Sequence, residues 1–580
     1  MTDQPQQLAK PLSPAIVTQA AVKRLPRLAL VLLCVAYVLP GLVGREPWKS
    51  YDMASFGLMR ELALGNTPWW HPTLLDMGSD TSALLPYWIG ALAIWLAPAW
   101  LPIDFAARIP FGMLIGLTMA ATWYGVYYLA RRPFAQPVPF AFGGEAKPTG
   151  YARSVADGAL LALIAMLGLA QMAHETTHSV VQLACSALLL YGFAASAYRP
   201  YSPYVALFVA IFGLALSSSA SLGLAISIAA GALLLLHTPD AVQEDPKARS
   251  RSHLRLVACA AVLLASVAYA LAVATKLVAT DYAIQLTKAS ALALRNVQDW
   301  RLLVWYAWPA WPLAIVALLR WRAHWRSLHI ALPVVLAGVA TIASLLVPAQ
   351  DRALLLALPA LAALAAFALP TMHRNVSAII DWFTLLFFTG CAVVIWVVWL
   401  SMQTGFPAQP ALNVQRLAPG FVPQFSWLIF GLALLASGTW LWLVRWRVSR
   451  QRHEMWKSLV LPAGGAALCW FLLMTLWMPL LDFARSYAPL VRTVAQRLGP
   501  QPCVHAYGLT RGQAAAFAFH GNMKLKTTQA PERCPWLIVD ADAVQTLSDT
   551  VKTTDWTLRG TIRRPSDDNE NVLIFQRNAP

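Results

Sequence analysis

Long apolar segments recur along almost the whole chain, and they constrain the fold more than any single motif does. Fourteen such segments come close to the roughly 20 residues that an α-helix needs to cross a bilayer. They lie at 27–43, 83–101, 106–130, 155–172, 178–197, 203–220, 222–237, 255–275, 301–320, 328–347, 353–370, 378–401, 425–444 and 458–481. Of the 580 residues, 58% are hydrophobic and only 12% are charged, which excludes a soluble enzyme. The sequence therefore predicts an α-helical polytopic membrane protein.

The basic residues indicate how these segments cross the membrane. The net charge is +17, but lysines and arginines lie in short clusters at the ends of apolar segments, not on one basic face that would bind nucleic acid. If all fourteen segments cross, basic loops fall on both sides. If 83–101, which is bracketed by Pro86 and Pro98, is interfacial or re-entrant, about thirteen cross and every strongly basic loop is cytoplasmic. The orientation of 83–101 stays open.

This topology divides the chain into three parts. Residues 1–26 are predicted to form a cytoplasmic leader, 27–481 the transmembrane domain, and 482–580 a polar tail on the outward side. The first apolar segment resembles a signal peptide, but because so many apolar segments follow it, we interpret it as an uncleaved first helix.

The tail changes character from the rest of the chain. Its short apolar runs, CVHAYGL, WLIVDA and NVLIFQR, are separated by a helix predicted at 538–550, which indicates a small α/β domain. Cys503 and Cys534 lie in this tail, whereas the other five cysteines lie inside apolar segments. If the tail is exported, these two cysteines can form a disulfide.

The first outward loop, 44–82, carries the strongest candidates for catalysis. It mixes acidic residues with tryptophans, a composition suited to a reaction at a membrane surface. Asp52 and Glu46 flank an aromatic, basic stretch, where a carboxylate can deprotonate or position the hydroxyl or amine of an acceptor. Asp52 is the first choice and Glu46 is the alternative. The other acids of the loop are more simply explained as solvated charges.

The segment HETTH at 174–178 allows two interpretations. It matches the pattern in which two histidines one helical turn apart bind zinc and a glutamate acts as base, as in an intramembrane metalloprotease. The segment ends at a membrane face, however, and no third-ligand motif follows it. His174 and Glu175 are therefore interpreted first as part of a polar cluster that lines an outward cavity and binds substrate.

Basic residues are scarce on the outward side, so the few that occur there are candidates for binding a phosphate. Lys276, Lys288 and Arg295 share one loop, and Arg352 stands at the head of a later helix. Arginine binds phosphate bidentately and lysine binds it as a point charge, which is what a lipid phosphate requires. Tyr282, near the lysines, can stack on a sugar or donate a hydrogen bond to a phosphate. The alternative for all of them is an ordinary interfacial side chain.

Taken together, these motifs resemble the GT-C class of membrane glycosyltransferases, specifically the bacterial relatives of protein O-mannosyltransferase and of the aminoarabinose transferase that modifies lipid A. The resemblance spans nearly the whole chain. It depends on REPWKSYDMASFG with Asp52, LLPYWIGALAIWL from Leu84, the pair His174–Glu175, WPAWPLAIVALLRW from Trp308, the Asp351–Arg352 turn and LDFARSYAPL at the start of the tail. Two features differ from the family pattern: Tyr51–Asp52–Met53 replaces an adjacent Asp-Glu pair, and SSSASLG at 217–223 replaces a lysine-glycine pair.

The resemblance implies an activity and a location. The chain would transfer a sugar from undecaprenyl phosphate, or another polyprenyl phosphate, to a periplasmic acceptor with inversion, at the periplasmic side of the bacterial inner membrane. Asp52 would activate or position the acceptor, while Arg352 and the basic residues of 276–295 would stabilise the departing lipid phosphate. Lipid A, a glycan and a protein are all open as acceptors, and the sugar is not specified.

Two further points stay open at this stage. Lipid phosphate is a good leaving group, so no metal is required, although a divalent ion held by Asp52 with His174 or Glu175 is compatible with the sequence. The rival from another class is a transporter or flippase for a lipid-linked substrate, which also needs a polar cavity and outward basic residues. Such a protein would need no acceptor.

Overall fold

Most of the apolar segments fold into helices, in a computed structural model that describes residues 13–78, 82–236, 251–277, 304–345, 350–372, 374–448, 454–500, 503–528 and 533–578. The helices up to Arg485 are α1 (Arg27–Val38), α2 (Tyr51–Ala63), α3 (Leu85–Leu96), α4 (Ile103–Ala130), α5 (Pro148–Ala165), α6 (Leu167–Met172), α7 (His178–Ala195), α8 (Ser202–Ala215), α9 (Ala220–Leu236), α10 (Arg251–Ala274), α11 (Ala310–Arg320), α12 (Leu328–Leu345), α13 (Gln350–Leu354), α14 (Leu358–Ala368), α15 (Arg374–Thr404), α16 (Ala408–Leu417), α17 (Trp427–Val448), α18 (Val460–Leu476) and α19 (Met478–Arg485). A two-stranded hairpin, β1 (Thr73–Leu74) and β2 (Met77–Gly78), follows α2.

Within the described residues, seven helical stretches are long and apolar enough to cross a membrane, and six shorter apolar helices of 10–17 residues accompany them. The chain is thus a multi-pass membrane protein, as predicted. The total of about thirteen crossings stays a prediction. Segment 83–101 contains α3, which has Pro86 in its first turn and ends before Pro98. Its 12 residues correspond to about 18 Å of helix, less than the roughly 30 Å hydrocarbon core.

The helices differ sharply in how deeply they are buried. The stretch Arg352–Thr371, which contains α14, has 94% of its apolar window buried, whereas α17 has 11% and α15 has 28%. Helix α14 (LPALAALAAFA) presents many alanines, which permit close packing against α5, α11 and α12. Helices α15 and α17 therefore lie at the periphery of the bundle, with most of their surface free for lipid.

Several chain segments meet at one end of the bundle, beyond the C-terminal end of α1. Arg108 of α4 donates a hydrogen bond to the carbonyl of Leu42 at 3.1 Å, and the indole of Trp470 in α18 donates to the carbonyl of Pro40 at 3.0 Å. The amide of Lys49 donates to the carbonyl of Arg485 at 2.9 Å. The chain after α1, including the start of the first outward loop, is thus held against α4, α18 and α19, and this convergence forms the candidate site.

The tail contains α20 (Ala488–Leu498), α21 (Arg511–His520), α22 (Leu547–Thr550) and a five-stranded mixed sheet of β3 (Val504–Tyr507), β4 (Leu525–Thr527), β5 (Trp536–Asp540), β6 (Trp556–Arg564) and β7 (Asp567–Arg577). The strand order is β4-β3-β5-β7-β6, with β3 parallel to β4 and β5 and with β7 antiparallel to β5 and β6. The three apolar runs of the tail fall on β3, β5 and β7. Cys503 and Cys534, which precede two parallel neighbours, form a disulfide with their Cα atoms 5.3 Å apart.

The predicted helix at 538–550 is only partly present. Strand β5 continues to Asp540, and the helical part consists of a 3-10 segment, Ala541–Thr546, followed by the single turn of α22. The Asp540 side chain accepts a hydrogen bond from the amide of Asp542 at 3.0 Å. This local bond ends the strand and begins the turn, a competition that an apolar run does not reveal.

Helix α2, which lies within the first outward loop, packs against the tail. Gly57 of α2 faces α21 so closely that a Cβ atom at this position would lie 2.4 Å from the Cβ of Ala515. Helix α21 begins with a capping box in which the Thr510 side chain and the Gln513 side chain each bond the other's backbone amide. The tail is therefore packed directly on the helix that carries Asp52.

Candidate active site

Asp52 lies in the first turn of α2 and is fully buried, with 1% of its surface exposed. One carboxylate oxygen accepts hydrogen bonds from the amide and the hydroxyl of Thr176, both at 2.7 Å. The other accepts from the Arg45 guanidinium at 2.8 Å and from the amide of Trp48 at 3.1 Å. The two oxygens thus receive four hydrogen bonds from the protein itself, which is close to the capacity of a carboxylate.

Arg45 is the main partner of Asp52 and is itself buried. Its guanidinium also donates to the carbonyl of His174 at 2.9 Å and lies 4.6 Å from the centre of the Trp48 ring. Burial raises the pKa of Asp52, but the charge of Arg45 and the hydrogen bonds from Thr176 outweigh burial and hold this pKa below its usual value. Asp52 is therefore ionised at neutral pH and fully bound.

Glu175, the next residue along from His174, has a different environment. It is 3% exposed and pairs with the Arg352 guanidinium, which also lies 4.4 Å from the centre of the Tyr51 ring. Burial raises the pKa of Glu175, the neighbouring charge of Asp52 raises it further, and Arg352 offsets these effects only in part. A carboxyl whose pKa is raised is a stronger base, which favours proton transfer from a bound hydroxyl or amine.

A third acid, Asp482 of α19, completes what we call the acid–arginine cluster. This cluster consists of Asp52, Glu175, Asp482, Arg45 and Arg352. The Asp482 carboxylate accepts a 2.6 Å hydrogen bond from the indole of Trp48 and two weaker ones from the amide of Glu46 at 3.3 Å. Burial raises the pKa of Asp482 to about 6, with the Trp48 bond opposing this shift.

Glu46, the alternative catalytic acid, faces the tail. Its carboxylate accepts hydrogen bonds from the Ser486 hydroxyl at 2.6 Å and from the Arg492 guanidinium at 3.1 Å, and its side chain is 31% exposed. Only its backbone amide contacts the acid–arginine cluster, through Asp482. The structure thus brings Asp52 and Glu175 together and leaves the Glu46 carboxylate outside.

His174 has a structural position in this fold. Its Nε2 lies 3.2 Å from the carbonyl oxygens of both Tyr37 and Val38, in the last turn of α1, and its Nδ1 bonds the carbonyl of Ala170. Burial lowers its pKa to about 4, so the imidazole is neutral and carries one N–H. With that N–H on Nε2, the ring serves the last carbonyls of α1, which lack partners within the helix.

The residues of HETTH do not fit a zinc site. Helix α7 begins only at His178, and the four residues before it are not helical, so the two histidines do not stand one helical turn apart. Across the described ranges, no group of three His, Cys, Asp or Glu side chains could hold a metal ion. The Asp52 oxygens are already occupied by N–H and O–H donors. Neither the protease interpretation nor a divalent ion shared by Asp52, His174 and Glu175 matches this geometry.

Of the two predicted phosphate-binding residues that the structure describes, Arg352 lies in the cluster and Lys276 does not. Lys276 is exposed just after α10, and none of the described contacts of the acid–arginine cluster involves it. Tyr282, Lys288 and Arg295 lie outside the residues that the structure describes. A second arginine takes a comparable position: the Arg485 guanidinium lies 5.3 Å from the centre of the Trp48 ring.

Sequence reasoning missed four residues of this site: Arg45, Thr176, Asp482 and Arg485. Each was visible as a polar residue inside a motif that had already been singled out. Arg45 stands in REPWKSYDMASFG and Thr176 in HETTH, while Asp482 and Arg485 stand in LDFARSYAPL. Asp482 is also the first acid after Glu454, at the end of a long apolar segment. A carboxylate at such a position is expected to need a partner.

A small cavity of about 20 Å³ lies between α2, the start of α7 and α21. It is lined by Tyr51, Ala54, Ser55, Leu58, Tyr87, Thr177, His178 and Arg511. Its volume suits a water molecule rather than a sugar. The Thr177 hydroxyl is buried and has no hydrogen-bond partner among the described residues, and Arg511 of α21 bonds the carbonyl of Gly78. The tail therefore contributes a basic side chain to the wall of this cavity.

Comparison with known structures identifies the fold. A crystal structure of ArnT from Cupriavidus metallidurans bound to undecaprenyl phosphate superposes with a TM-score of 0.58 at 13% identity, covering 94% of this chain and 97% of that one. The apo state of the same protein gives 0.54 at 14% identity, with the same coverage. The chain has the GT-C fold.

The GT-C fold assignment rests on these two structures. The apo oligosaccharyltransferase of Archaeoglobus fulgidus aligns with a TM-score of 0.40 at 9% identity, over 86% of this chain and 64% of that one, and adds no argument. No protein-family model matches the sequence, and no curated protein matches it. The resemblance inferred from the motifs is confirmed for the fold, which alone does not specify a reaction.

Proposed function

We propose that this protein is an inverting glycosyltransferase that moves a sugar from undecaprenyl phosphate, or another polyprenyl phosphate, to a periplasmic acceptor such as lipid A, a glycan or a protein. The proposal places it in the bacterial inner membrane with its active site on the periplasmic side. One observation carries it: the acid–arginine cluster sits at one end of a GT-C helix bundle. The similar ArnT structure was bound to undecaprenyl phosphate.

The arginines supply what a lipid-phosphate donor requires. Arg352 and Arg485 each stack against an aromatic ring, Tyr51 and Trp48 respectively, and both act electrostatically on Glu175. A guanidinium in a fixed orientation binds phosphate oxygens bidentately and stabilises the charge that develops as the sugar leaves. We assign the donor phosphate to these two side chains, with Arg352 exchanging its bond to Glu175 for the phosphate.

The two buried carboxylates receive different roles. Glu175 has one described ion-pair partner and a raised pKa, so it is the group proposed to accept a proton from the acceptor hydroxyl or amine. Asp52 has four hydrogen bonds and a lowered pKa, which makes it a poor proton acceptor. Asp52 is proposed to position Thr176 and thereby the adjacent Glu175. This assignment exchanges the roles that the sequence predicts for Asp52 and Glu175.

Mass spectrometry of envelope lipids, glycans and proteins tests this proposal. Cells carrying the wild-type protein should show a sugar mass increment that is absent from a deletion strain. Glu175→Gln should reduce the increment by roughly 10²–10⁴-fold, the usual contribution of a general base. The matched control is Glu61→Gln, an acid of the same region whose carboxylate bonds Arg60 and Asn66 away from the cluster; it should leave the increment unchanged.

Each other outcome has a definite meaning. A full increment with Glu175→Gln at normal protein level would remove Glu175 from the chemistry. Envelopes that are identical in wild type and deletion would overturn glycosyl transfer itself. If the deletion instead changes only the side of the membrane on which a lipid-linked sugar accumulates, with no acceptor modified, the transporter alternative is correct.

A further inference from the structure

A charged cavity of about 470 Å³ lies at the end of the bundle opposite the acid–arginine cluster. It is bounded by residues 16–21, the residues after α14, the first turns of α15, the end of α17 and the 3-10 segment Met455–Leu459 that precedes α18. Four charged side chains line it: Asp381, Arg447, Glu454 and Lys457. Two are acidic and two are basic, so their formal charges cancel. The volume lies in the range of about 300–1,000 Å³ that is usual for small-molecule sites.

These charged groups are held in place by the protein. The Arg447 guanidinium donates to both oxygens of Asp381, with Nε at 3.2 Å from Oδ1. Lys457 is 3% exposed, and its ammonium lies 5.4 Å from the centre of the Trp446 ring. One carboxylate oxygen of Glu454 is buried and has no hydrogen-bond partner among the described residues. A buried carboxylate oxygen without a donor is costly, so this cavity is suited to a ligand that carries one.

Aromatic residues indicate the depth of this cavity in the membrane. The rings of Trp446 and Trp456 stack beside it, 6.3 Å apart and nearly parallel. Tryptophans collect at the level of the lipid head groups. The indole of Trp456 donates to the carbonyl of Lys23, just before α1, whereas the far end of α1 reaches the acid–arginine cluster. The charged cavity therefore lies at head-group level in the leaflet away from the candidate active site.

A second cavity, of about 540 Å³, lies further along α15 and is apolar throughout. Side chains of α15 and α18 line most of it, among them Phe388, Cys391, Ile395 and Leu473. Cys391 stands ten positions beyond Asp381 on the same helix, a rise of about 15 Å. Asp381, Phe388 and Ile395 recur every seven residues and so share one face of α15. Along that face a charged cavity at head-group depth is followed by an apolar cavity at acyl-chain depth.

We propose that this face of α15 binds one diacyl phospholipid whose head group carries a phosphate and a primary ammonium, as in phosphatidylethanolamine. Lys457 and Arg447 bind the phosphate, Glu454 and Asp381 bind the ammonium, and an acyl chain lies in the apolar cavity. The charges of the first cavity match those of the head group, and the positions of the two cavities match the depths of the head group and the acyl chain. It does not depend on the proposed glycosyl transfer.

The charges also discriminate among head groups. A lipid with a net negative head group, such as phosphatidylglycerol, satisfies the two basic residues but leaves Glu454 and Asp381 facing an anion, which is unfavourable. Phosphatidylcholine has the right net charge, but its quaternary ammonium cannot donate a hydrogen bond to the unpartnered Glu454 oxygen. Phosphatidylethanolamine meets both requirements.

Native mass spectrometry of the full-length protein tests the site. The protein is reconstituted with vesicles of equal parts phosphatidylethanolamine, phosphatidylglycerol and phosphatidylcholine of one acyl composition, then released into detergent. We expect one retained phosphatidylethanolamine per protein, preferred about tenfold over each competitor, the effect of one charge-assisted hydrogen bond. Equal retention of the three lipids, or preference for phosphatidylglycerol, would overturn the proposal. Free phosphoethanolamine should not displace the lipid at equal concentration, because it lacks the acyl chains; displacement would refute the role of the apolar cavity.

Two variants locate the bound lipid. Glu454→Gln keeps the shape of the side chain but removes the charge that attracts the ammonium, so the preference for phosphatidylethanolamine over phosphatidylglycerol should fall about tenfold. The control is Arg445→Gln, on the same helix as Arg447 but exposed and outside the lining, which should retain the wild-type preference. An unchanged preference with Glu454→Gln would place the lipid elsewhere. The wild-type competition remains decisive if Glu454→Gln does not accumulate.

Discussion

The surroundings of Asp52 and those of Glu175 differ although both carboxylates are buried in one site. Asp52 receives two hydrogen bonds from Thr176, one from Arg45 and one from a backbone amide, and its pKa is lowered. Glu175 pairs with Arg352, and its pKa is raised by burial and by the charge of Asp52. Burial alone therefore does not decide how a carboxylate behaves; the number of donors facing it does.

This difference distinguishes a carboxylate with a structural role from one that can take part in the reaction. A carboxylate whose oxygens are all bound fixes the chain segments that supply the donors, here the loop before α2 and the turn before α7. A carboxylate with a raised pKa and one ion-pair partner keeps capacity for a proton or a substrate. We expect substitution of Glu175 mainly to lower activity and substitution of Asp52 mainly to lower stability.

The largest structural effect should come from removing the charge that stabilises Asp52. Arg45→Met leaves a buried carboxylate without its ion-pair partner, which should cost about 3–5 kcal/mol of unfolding free energy. Unfolding of the purified protein in detergent measures this loss. The control is Arg492→Met, because Arg492 is 65% exposed where it pairs with Glu46, and such a pair contributes at most about 1 kcal/mol. Similar small losses for both variants would contradict the comparison.

Amide substitutions of the two carboxylates should differ in their consequences for stability. Asp52→Asn removes the charged acceptor of four hydrogen bonds and should cost about 1.5–3 kcal/mol. Glu175→Gln mimics the protonated form, which the fold favours, and its amide oxygen can still accept from the Arg352 guanidinium, so its loss should be smaller than that of Asp52→Asn. The ionised form of Asp52 contributes stability above its unfolded pKa, and this is lost as pH falls through the lowered native value. For Glu175 the contribution is lost as pH rises through the raised value. Thermal unfolding of both variants would refute this contrast if Glu175→Gln proved the less stable.

Asp482 should give a moderate effect that depends on pH. Its native pKa of about 6 lies above its ordinary value of 3.8, so the fold favours the protonated form. The stability that it contributes is present below about pH 4 and is lost as pH rises to 6. Compared with wild type, Asp482→Asn should therefore gain in melting temperature between pH 4 and pH 7. If the melting temperatures of the two proteins changed in parallel with pH over this range, Asp482 would not titrate there.

The smallest effect is expected at the contact between the first outward loop and β7. Lys49 lies 2.5 Å from Asp567 and 3.4 Å from Glu570, but all three side chains are about a quarter to a third exposed. Exposed ion pairs contribute less than about 1 kcal/mol, so Lys49→Met should lower stability by no more than that. Raising the salt concentration should reduce the difference further. A loss comparable to that of Arg45→Met would mean that the loop is held by its surface contacts.

Asp52 was predictable as an acid in a polar loop rich in tryptophan, and Glu175 and Arg352 as ionisable residues at the ends of apolar segments. Their pairing was not, since Thr176 lies 124 positions from Asp52 and Arg352 lies 177 positions from Glu175. A single sequence contains no signal for contacts at such separations. The helical bundle, in contrast, was predictable from hydropathy, because the length and polarity of each span are local properties of the sequence.

His174 shows a different limit of sequence reasoning. A histidine beside a glutamate at a membrane face fits a substrate or metal site, but its ring bonds the last carbonyls of α1. Those carbonyls need a donor because α1 ends there, beside the buried Tyr37, which no local pattern reveals. The boundary of the predicted helix at 538–550 was missed for a similar reason, because the Asp540 side chain bonds the backbone of its own turn.

The contact of Arg511 with the cavity beside α2 has a consequence for biosynthesis. Residues 52 and 511 are separated by 459 positions, so a ribosome adding about 5–20 residues per second needs roughly 20–90 seconds between them. During that interval Asp52 leaves the ribosome before Thr176 and Asp482, so its carboxylate is synthesised well before groups that surround it in the folded protein. The candidate active site can therefore be completed only after the last part of the chain has been synthesised.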